Sequence, residues 1–345
     1  MAWLTLKATE NLAQSTAMLI NVLILVLGLA LIIKGGDWFV GASVRLAELL
    51  RMPRVVIGST LVSLATTTPE LVVSVMAGGK GEPGLAVGNA IGSCICNVGL
   101  ILGVTAALRH VDVHLKALRM PLIAMFGCGA LLFLMTLDLS LGRAQGAVLV
   151  AGGLAYFVYD FVHHARDTNP ADVAEARAIE QSVAGRLSWF HSRTGSIAQF
   201  GLGAGVVVAG SRLLVDGAVN LATTLGIPSI IIGLTVVAVG TSVPELVTAV
   251  TSSRKNVSDL AVGNVLGANI ANLTIIVGVA AMMSEVRMSR ATQLVNFPAL
   301  LAVFGLLLWM LLNDRRVSRK EGVALLVTYS LYLCALVFLA AGLKK

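Results

Sequence analysis

The chain has 345 residues, of which 57% are hydrophobic and only 12% are charged, and its mean hydropathy is +0.89. A soluble globular domain carries about 25% charged residues, so this composition excludes an ordinary soluble protein and predicts a polytopic membrane protein. The net charge is +7, but the cations are scattered over short loops. We therefore expect no nucleic-acid partner, since that would require one basic face.

Ten stretches are long and apolar enough to cross a bilayer, which takes about 20 helical residues. The predicted fold class is an all-α polytopic membrane protein with ten transmembrane helices. The expected spans are residues 17–50, 55–78, 85–108, 117–137, 142–164, 196–225, 229–253, 260–283, 292–312 and 320–342. The segment before the first span lacks the features of a classical signal peptide, and we interpret it as a short tail.

Lysine and arginine are unequally divided between the two sides that ten spans would create. The loops on one side hold 15 of these cations and those on the other side hold 7. Because cytoplasmic loops carry the excess, we expect the central loop, residues 165–195, in the cytoplasm, both termini outside, and the protein in the plasma (inner) membrane. Within that loop, Thr168-Asn169-Pro170 favours the start of a surface helix, and a solvated linker is an equal alternative.

The sequence contains two copies of one pattern, which align without gaps at a constant offset. Residues 53–75 match residues 228–250 at 11 of 23 positions, and residues 85–104 match residues 260–279 at 11 of 20. Each half holds five spans, and because five is odd the second half enters the membrane from the opposite side. We therefore predict two inverted five-helix repeats, residues 1–164 and 196–345, an arrangement typical of secondary transporters with a midplane site.

Two carboxylates follow prolines at equivalent positions in the second span of each half. Glu70 ends the segment 66–70 (Thr-Thr-Thr-Pro-Glu), and Glu245 ends the segment 241–245 (Thr-Ser-Val-Pro-Glu). An ionisable side chain at membrane depth costs roughly 3 kcal/mol or more, which favours a functional role. Each proline also leaves a carbonyl unpaired one turn earlier. Carboxylates, hydroxyls and free carbonyls are all oxygen donors, which suit hard cations such as Na⁺ and Ca²⁺.

The third span of each half adds polar side chains to this site. Asn97 and Asn272 are repeat counterparts, and Ser93 lies on the same helix face as Asn97 because the two are four residues apart. Glycines at four-residue spacing in the same spans favour close helix packing. They are Gly88, Gly92, Gly263 and Gly267.

Other unusual residues in the spans have simpler interpretations. Asp37 and Arg212 are counterparts in the first and sixth spans, and we favour side chains that reach an interface over gate contacts. The cysteines are interpreted as small buried hydrophobic residues rather than a soft-metal pair. They are Cys94, Cys96, Cys128 and Cys334.

The paired motifs resemble the alpha-repeats of the sodium/calcium exchanger family, within the cation/calcium exchanger superfamily. The motifs cover residues 58–70 with 233–245 and residues 88–97 with 263–272, and the layout resembles the compact bacterial calcium/sodium antiporters. The resemblance implies a metal site in which Glu70 and Glu245 bind Ca²⁺ and Na⁺. The other ligands that it implies are Thr66, Thr67, Thr241, Ser242, Ser63, Ala238, Ser93, Asn97 and Asn272.

Three positions depart from the best-known family pattern, and they bear on the coupling ion. Two carboxylates balance one Ca²⁺, two Na⁺ or two protons, so a third Na⁺ is harder to hold. The cation/proton branch carries a Glu where this chain has glycine, which argues against that branch. The departures are Asn272, where many members have Asp, Ala268, which is the counterpart of Ser93, and Cys94, which is the counterpart of Asn269.

We therefore expect a secondary active antiporter, not an enzyme, that exchanges Na⁺ for Ca²⁺ by alternating access. One alternative is H⁺- or K⁺-coupled cation exchange, since glutamates also carry protons. A cation channel is less favoured because the pseudo-dimer offers no repeated pore ring. No cofactor is expected beyond the transported Ca²⁺ and Na⁺, and the lipid bilayer is the expected surrounding. The sequence leaves stoichiometry and oligomeric state open.

Overall fold

The computed structural model describes residues 2–50, 52–79, 83–112, 115–164, 193–224, 238–288, 290, 292–314 and 316–342. The predicted linker, apart from residues 193–195, lies outside the described residues. Residues 225–237, which include the last residue of the predicted sixth span and the first nine of the seventh, lie outside them too. Within the described ranges the chain forms helices and four two-residue strands.

The first half consists of helices that are continuous at its start and end and broken between. Four segments of the described residues wind as π-helices, with i→i+5 bonds that widen the turn. In chain order the first half contains α1 (Ala2–Leu50), α2 (Arg54–Ile57), π1 (Gly58–Val62), α3 (Ser63–Thr66), α4 (Thr68–Gly79), α5 (Pro83–Cys96), π2 (Asn97–Leu102), α6 (Gly103–Leu108), β1 (Val111–Asp112), α7 (Leu115–Met135), β2 (Ser140–Leu141) and α8 (Arg143–His164).

In the second half the described residues begin with a long helix, which is followed by a broken helix, a nearly continuous buried helix and two more apolar helices. The elements are α9 (Arg193–Thr224), α10 (Ala238–Thr241), α11 (Val243–Arg254), α12 (Ser258–Ala271), π3 (Asn272–Ile276), α13 (Val277–Met283), β3 (Val286–Arg287), π4 (Thr292–Asn296), α14 (Phe297–Asp314), β4 (Arg316–Val317) and α15 (Arg319–Gly342).

Seven helical stretches among the described residues are long and apolar enough to cross a membrane. An eighth is a bent pair, Arg54–Thr66 with Thr68–Val75, whose axes differ by 40°. The chain is therefore an all-helical, multi-pass membrane protein. The predicted N-terminal tail is not separate, because α1 continues back to Ala2.

The two broken helices are interrupted at equivalent residues. Thr67 has φ −77° and ψ 4°, and its repeat counterpart Ser242 has φ −90° and ψ 11°. Each break is followed, at the second position along the chain, by a proline, Pro69 or Pro244. Proline cannot donate to the preceding turn but suits the first turn of a new helix. The residue after each proline is a glutamate, and the break therefore places it in the first turn of α4 or of α11.

Two short strand pairs join the halves at their loops. Val111 pairs with Val317 in the β1–β4 ladder, and Leu141 pairs with Val286 in the β2–β3 ladder, both antiparallel. β1 and β2 flank α7, whereas β3 and β4 flank α14. Because β3 pairs with β2, α14 begins at the end of the bundle where α7 ends, so the two helices run in opposite directions.

The last helix of each half packs closely on the third-span helix of the other half. A Cβ on Gly146 of α8 would lie 2.6 Å from the Gly278 carbonyl of α13, and one on Gly322 of α15 would lie 2.8 Å from the Gly103 carbonyl of α6. Glycine is required where backbones approach this closely. The halves are therefore interlocked rather than side by side.

The polar core lies on the most buried helices. In the most apolar part of Ser258–Met283, 83% of the residues are buried, and in that of Ala86–Leu108, 72% are buried. By contrast, the corresponding shares are only 17% in Met18–Leu50 and 22% in Thr194–Gly217. These two outer helices, α1 and α9, pack on each other, and a Cβ on Gly28 would lie 2.7 Å from the Leu214 amide.

Candidate cation-binding site

The two predicted glutamates lie at the centre of the bundle. Glu70 is 1% exposed in the first turn of α4, and Glu245 is 0% exposed in the first turn of α11. The N-terminal turn of a helix carries partial positive charge, which stabilises a carboxylate there. The breaks at Thr67 and Ser242 thus create two helix N-termini inside the apolar core, each bearing an acid.

Hydroxyls bring the broken helix of one half to the site residues of the other. The Ser242 hydroxyl donates to Glu70 Oε1 at 3.1 Å, and its oxygen lies 3.4 Å from Ser93 Oγ. In the reverse direction, the Thr66 hydroxyl donates to Asn264 Oδ1 at 3.1 Å. Both contacts join residues of different halves, so the structure brings the predicted residues into one cluster.

Two buried amides of the third and eighth spans are hydrogen-bonded to each other. Asn97 Nδ2 donates to Asn269 Oδ1 at 3.0 Å, and Asn269 Nδ2 lies 3.5 Å from Met125 Sδ. Asn97 and Asn272 are the first residues of π2 and π3. A π segment is common at functional sites, because its wider turn redirects side chains.

Several polar atoms of this cluster are buried without a hydrogen-bond partner in the part of the chain that the structure describes. A buried polar atom without a partner costs about 1–3 kcal/mol, so a cluster of them indicates space for a polar ligand. Five are oxygens with lone pairs available for a cation, and two are amide nitrogens. They are Glu70 Oε2, Glu245 Oε1 and Oε2, Asn97 Oδ1, Asn272 Oδ1, Asn272 Nδ2 and Asn264 Nδ2.

The carbonyl of Ser63, predicted as an outer ligand, is already hydrogen-bonded. It accepts the Thr67 N–H at 2.9 Å and the Thr67 hydroxyl at 2.7 Å, and the Thr66 hydroxyl oxygen lies 3.3 Å from it. A cation there would require those hydroxyls to rotate. Thr241 lies next to Ser242 and is partly exposed, while for Ala238, at the start of α10, only the backbone is described.

The glycines predicted to allow close packing divide into two groups. A Cβ on Gly263 would lie 2.1 Å from the Val55 carbonyl oxygen, and one on Gly267 would lie 2.2 Å from the Ser59 carbonyl oxygen. For their counterparts Gly88 and Gly92, no atom of the described residues lies within 4 Å of that position. The packing role is therefore seen in the second copy of the motif.

The cysteine prediction is only partly correct. Cys94 and Cys96 are buried as expected, Cys128 is half-buried, and Cys334 is exposed on α15, so its interpretation as a buried residue is wrong. The apolar run around Cys334 could not reveal which helix face points outward. No group of three or more His, Cys, Asp or Glu side chains suited to a metal ion occurs among the described residues.

Asp37 forms an ion pair instead of only reaching an interface. Lys255, just after α11, lies with Nζ 3.4 Å from Asp37 Oδ1 and donates to the Asp37 carbonyl at 2.8 Å. Burial lowers the pKa of the Lys255 ammonium, and the charge of Asp37 partly offsets this. Arg212, the counterpart of Asp37, is exposed on α9. Asp37 thus connects α1 to the end of the broken helix that carries Glu245.

One buried acid was missed by the sequence reasoning. Asp160 of α8 is 0% exposed, and the Ser59 hydroxyl of π1 donates to its Oδ2 at 2.9 Å. A signal for it existed, because Gly146, Leu149, Gly153, Phe157 and Asp160 follow helical spacing and all are buried. Because it lies one turn before His163, Asp160 looks in the sequence like part of a polar helix end.

These features define a multi-pass helical membrane protein with an oxygen-lined site between two broken helices. The model of the sodium/calcium exchanger protein family matches residues 20–162 and 195–338. The chain therefore belongs to the sodium/calcium exchanger family, which is a family of transporters.

Individual relatives match over most of their length. The chain is 33% identical to a protein of Alkalimonas amylolytica named as the antiporter CaxA, over 90% of this chain and 97% of that one. It is 30% identical to the sodium/calcium exchanger MaX1 of Methanosarcina acetivorans, over 93% and 99%. Among solved structures, the sodium-calcium exchanger NCX_Mj aligns with a TM-score of 0.78 and 28% identity, over 92% and 98% of the chains.

Proposed function

We propose that this protein is a secondary active antiporter that exchanges Na⁺ for Ca²⁺ across the membrane by alternating access. The observation that carries the proposal is the group of five buried, unpartnered oxygens that Glu70, Glu245, Asn97 and Asn272 present among the described residues. Membership of the sodium/calcium exchanger family and relatives named for this exchange support the same function.

The proposed architecture is ten transmembrane helices in two inverted five-helix repeats, residues 1–164 and 196–345. The opposite directions of α7 and α14 support the inversion, since the two helices are repeat counterparts. The last helix of each half begins with the same kind of cap, in which a backbone amide donates to a side chain three residues later, and this supports the repeat. The Gly142 amide donates to the Gln145 side chain at 2.7 Å before α8, and the Ser318 amide donates to Glu321 at 2.7 Å before α15.

The chemistry of the site favours competition between the two ions. Two glutamates supply two negative charges, which one Ca²⁺ or two Na⁺ neutralise. Because the same carboxylate oxygens serve both, binding of one ion type excludes the other. Ca²⁺ takes six to eight oxygens, so the five unpartnered oxygens need one or more further donors. Hydroxyls and carbonyls at the breaks supply them in this proposal, from Ser63, Thr66, Thr67, Ser93, Ala238, Thr241 and Ser242.

The proposed location is the plasma (inner) membrane, with both termini outside and the linker in the cytoplasm. The lysine and arginine asymmetry between the loops, 15 against 7, supports this orientation. Cytoplasmic Ca²⁺ would then leave as Na⁺ enters down its gradient. The lipid bilayer is the expected surrounding, and no cofactor is part of the proposal.

The test is calcium uptake into proteoliposomes that contain the purified full chain. With Na⁺ inside and none outside, we expect radioactive calcium to accumulate, and we expect no accumulation when choline replaces internal Na⁺. Glu70→Gln and Glu245→Gln should each abolish the Na⁺-dependent part, because each removes one of the two charges that bind Ca²⁺.

Two outcomes would contradict sodium coupling. Uptake that persists without Na⁺ but follows an imposed pH or K⁺ gradient would assign the coupling to that ion. Calcium flux that depends on no counter-ion would indicate a channel.

Glu321→Gln is a matched control for the two glutamate variants. Glu321 caps α15 at the Ser318 amide, away from the cluster.

A further inference from the structure

Asn269 of α12 is hydrogen-bonded to the cation cluster but is not among the proposed ligands. It is 0% exposed and lies three residues before Asn272. Its side-chain oxygen accepts a hydrogen bond from Asn97 Nδ2 at 3.0 Å, and its own Nδ2 lies 3.5 Å from the sulfur of Met125, a fully buried residue of α7. Burying a polar side chain is costly unless its groups are paired, so both contacts bear on the role of Asn269.

The sulfur of Met125 determines which way the two amides face. A thioether sulfur can accept a hydrogen bond but has no proton to donate. The group of Asn269 that faces Met125 is therefore its NH₂, and its oxygen is turned toward Asn97. An oxygen of this kind can only accept, so the group of Asn97 that faces Asn269 is also its NH₂. The atom that remains, Asn97 Oδ1, is buried without a hydrogen-bond partner among the described residues.

The result is an amide oxygen whose orientation is fixed before a cation arrives. The oxygen and the NH₂ group of an amide differ little in size, but only the oxygen has lone pairs for a metal ion. If the Asn97 amide alone turned over, its oxygen would meet the Asn269 oxygen, and the hydrogen bond between them would be lost. If both amides turned over, the Asn269 oxygen would face the Met125 sulfur, which cannot donate.

The other half of the molecule lacks this arrangement. The repeat counterpart of Asn269 is Cys94, whose thiol lies next to the side chain of Asn272. Cys94 Sγ lies 3.6 Å from the backbone carbonyl of Asn269, to which the thiol donates. Neither Oδ1 nor Nδ2 of Asn272 has a hydrogen-bond partner in the described part of the chain. The Asn272 amide is therefore not held in one orientation.

We propose that Asn269 and Met125 are positioning residues that fix the Asn97 oxygen as a cation ligand. In the other half, Cys94 leaves the Asn272 amide unfixed and so lowers the affinity of the site for Ca²⁺. Without a cation, the NH₂ group of Asn272 can turn toward the unpartnered oxygens of the cluster, and a Ca²⁺ ion that binds must then reverse it. This inference rests on the proposed Na⁺/Ca²⁺ exchange and adds the residues that set how tightly the site holds Ca²⁺.

The test measures calcium binding by calorimetry to the purified full chain in Na⁺-free detergent solution. Cys94→Asn supplies an acceptor for the NH₂ group of Asn272, so we expect calcium to bind about three- to tenfold more tightly, the effect of one hydrogen bond. Cys334→Asn is the matched control, because it makes the same change at an exposed position of α15 and should leave the affinity unchanged.

Two further variants test the fixed amide. Asn269→Cys removes the acceptor of the Asn97 NH₂ group and should weaken calcium binding about three- to tenfold. Met125→Leu conserves the volume of the side chain but removes the sulfur. Both amides can then turn over together, and if the two orientations become equally populated, the apparent affinity falls about twofold.

Double-mutant cycles separate positioning from general damage to the fold. The loss in Asn269→Cys should disappear when Asn97→Ala is also present, and the gain in Cys94→Asn should disappear when Asn272→Ala is present, because the amide to be oriented is then absent. A merely structural role would leave both effects in place. Thermal unfolding without calcium reports folding, and if Asn269→Cys does not fold, the Cys94→Asn cycle decides.

Two results would overturn the inference. One is a Cys94→Asn variant that binds calcium no more tightly than the wild type and Cys334→Asn. The other is an effect of Cys94→Asn or Asn269→Cys that keeps its full size when the partner asparagine is replaced. A failure of the proposed exchange would look different, since calcium would bind and respond to the variants without any Na⁺-driven uptake. If the chain binds no calcium, the same variants are titrated with radioactive Na⁺, and equal binding by all of them would overturn the inference.

Discussion

Ser242 of the second half donates a hydrogen bond to the carboxylate of Glu70 in the first half, at 3.1 Å. The serine lies at the break of the second half and the glutamate just after the break of the first. Each break therefore contributes to the surroundings of the other half's acid. Neither half alone contains a complete site.

Removal of this donor should weaken cation binding. A hydrogen bond to a charged group contributes about 1.5–3 kcal/mol, so we expect Ser242→Ala to raise the calcium concentration for half-maximal uptake about tenfold or more. Ser330→Ala is the control, since Ser330 is exposed on α15 and donates to the Leu326 carbonyl of its own helix. Equal half-maximal concentrations in the two variants would contradict the geometry.

Asn272 should control the charge of the site. Both of its polar side-chain atoms are buried without a partner among the described residues, so an acid there would face the cluster directly. Two unit charges 4 Å apart interact by about 4 kcal/mol at an effective dielectric constant of 20. We therefore expect Asn272→Asp to bind Ca²⁺ at least tenfold more tightly, measured by calorimetry in detergent. Asn313→Asp, on the exposed end of α14, should leave binding unchanged.

Two adjacent glycines of α8 should respond differently to alanine. A Cβ on Gly153 would lie 2.3 Å from the Thr274 hydroxyl oxygen, whereas Gly152 is exposed and has no described atom within 4 Å of that position. Overpacking typically costs about 1–3 kcal/mol. We expect Gly153→Ala to unfold at a clearly lower temperature in detergent, and Gly152→Ala to match or exceed the wild type. A reversed order would show that α8 is rotated.

Lys255 should make stability depend on alkaline pH. Burial lowers the pKa of Lys255 despite the neighbouring Asp37, so the folded protein releases this proton at lower pH than the unfolded chain. The unfolded state then binds more protons, and the free energy of unfolding rises with pH just below the ordinary lysine pKa of about 10.4. In Lys255→Met this rise should be smaller, as measured by chemical unfolding between about pH 8.5 and 10. An identical pH dependence in the variant would contradict the prediction.

Sequence patterns predicted the helical class, the breaks and the two acids, because proline and glutamate in an apolar run are rare and were found twice. The partners of those acids were harder to predict. Ser242 reaches Glu70 only because the halves interlock, and the π segments that begin at Asn97 and Asn272 depend on packing rather than on local propensity. Asp160 was missed because hydropathy averages over a window, whereas its burial depends on the helix face.

The two strand pairs described above have a consequence for how such a chain can arise. β1 and β3 are counterparts, as are β2 and β4, and the ladders join β1 to β4 and β3 to β2. The first strand of each half therefore pairs with the second strand of the other half. This reciprocal contact is the one found in an isologous two-fold interface. Under the proposed repeat, a single half has both complementary edges and could pair with a second copy of itself. The present chain keeps that dimer interface inside one polypeptide.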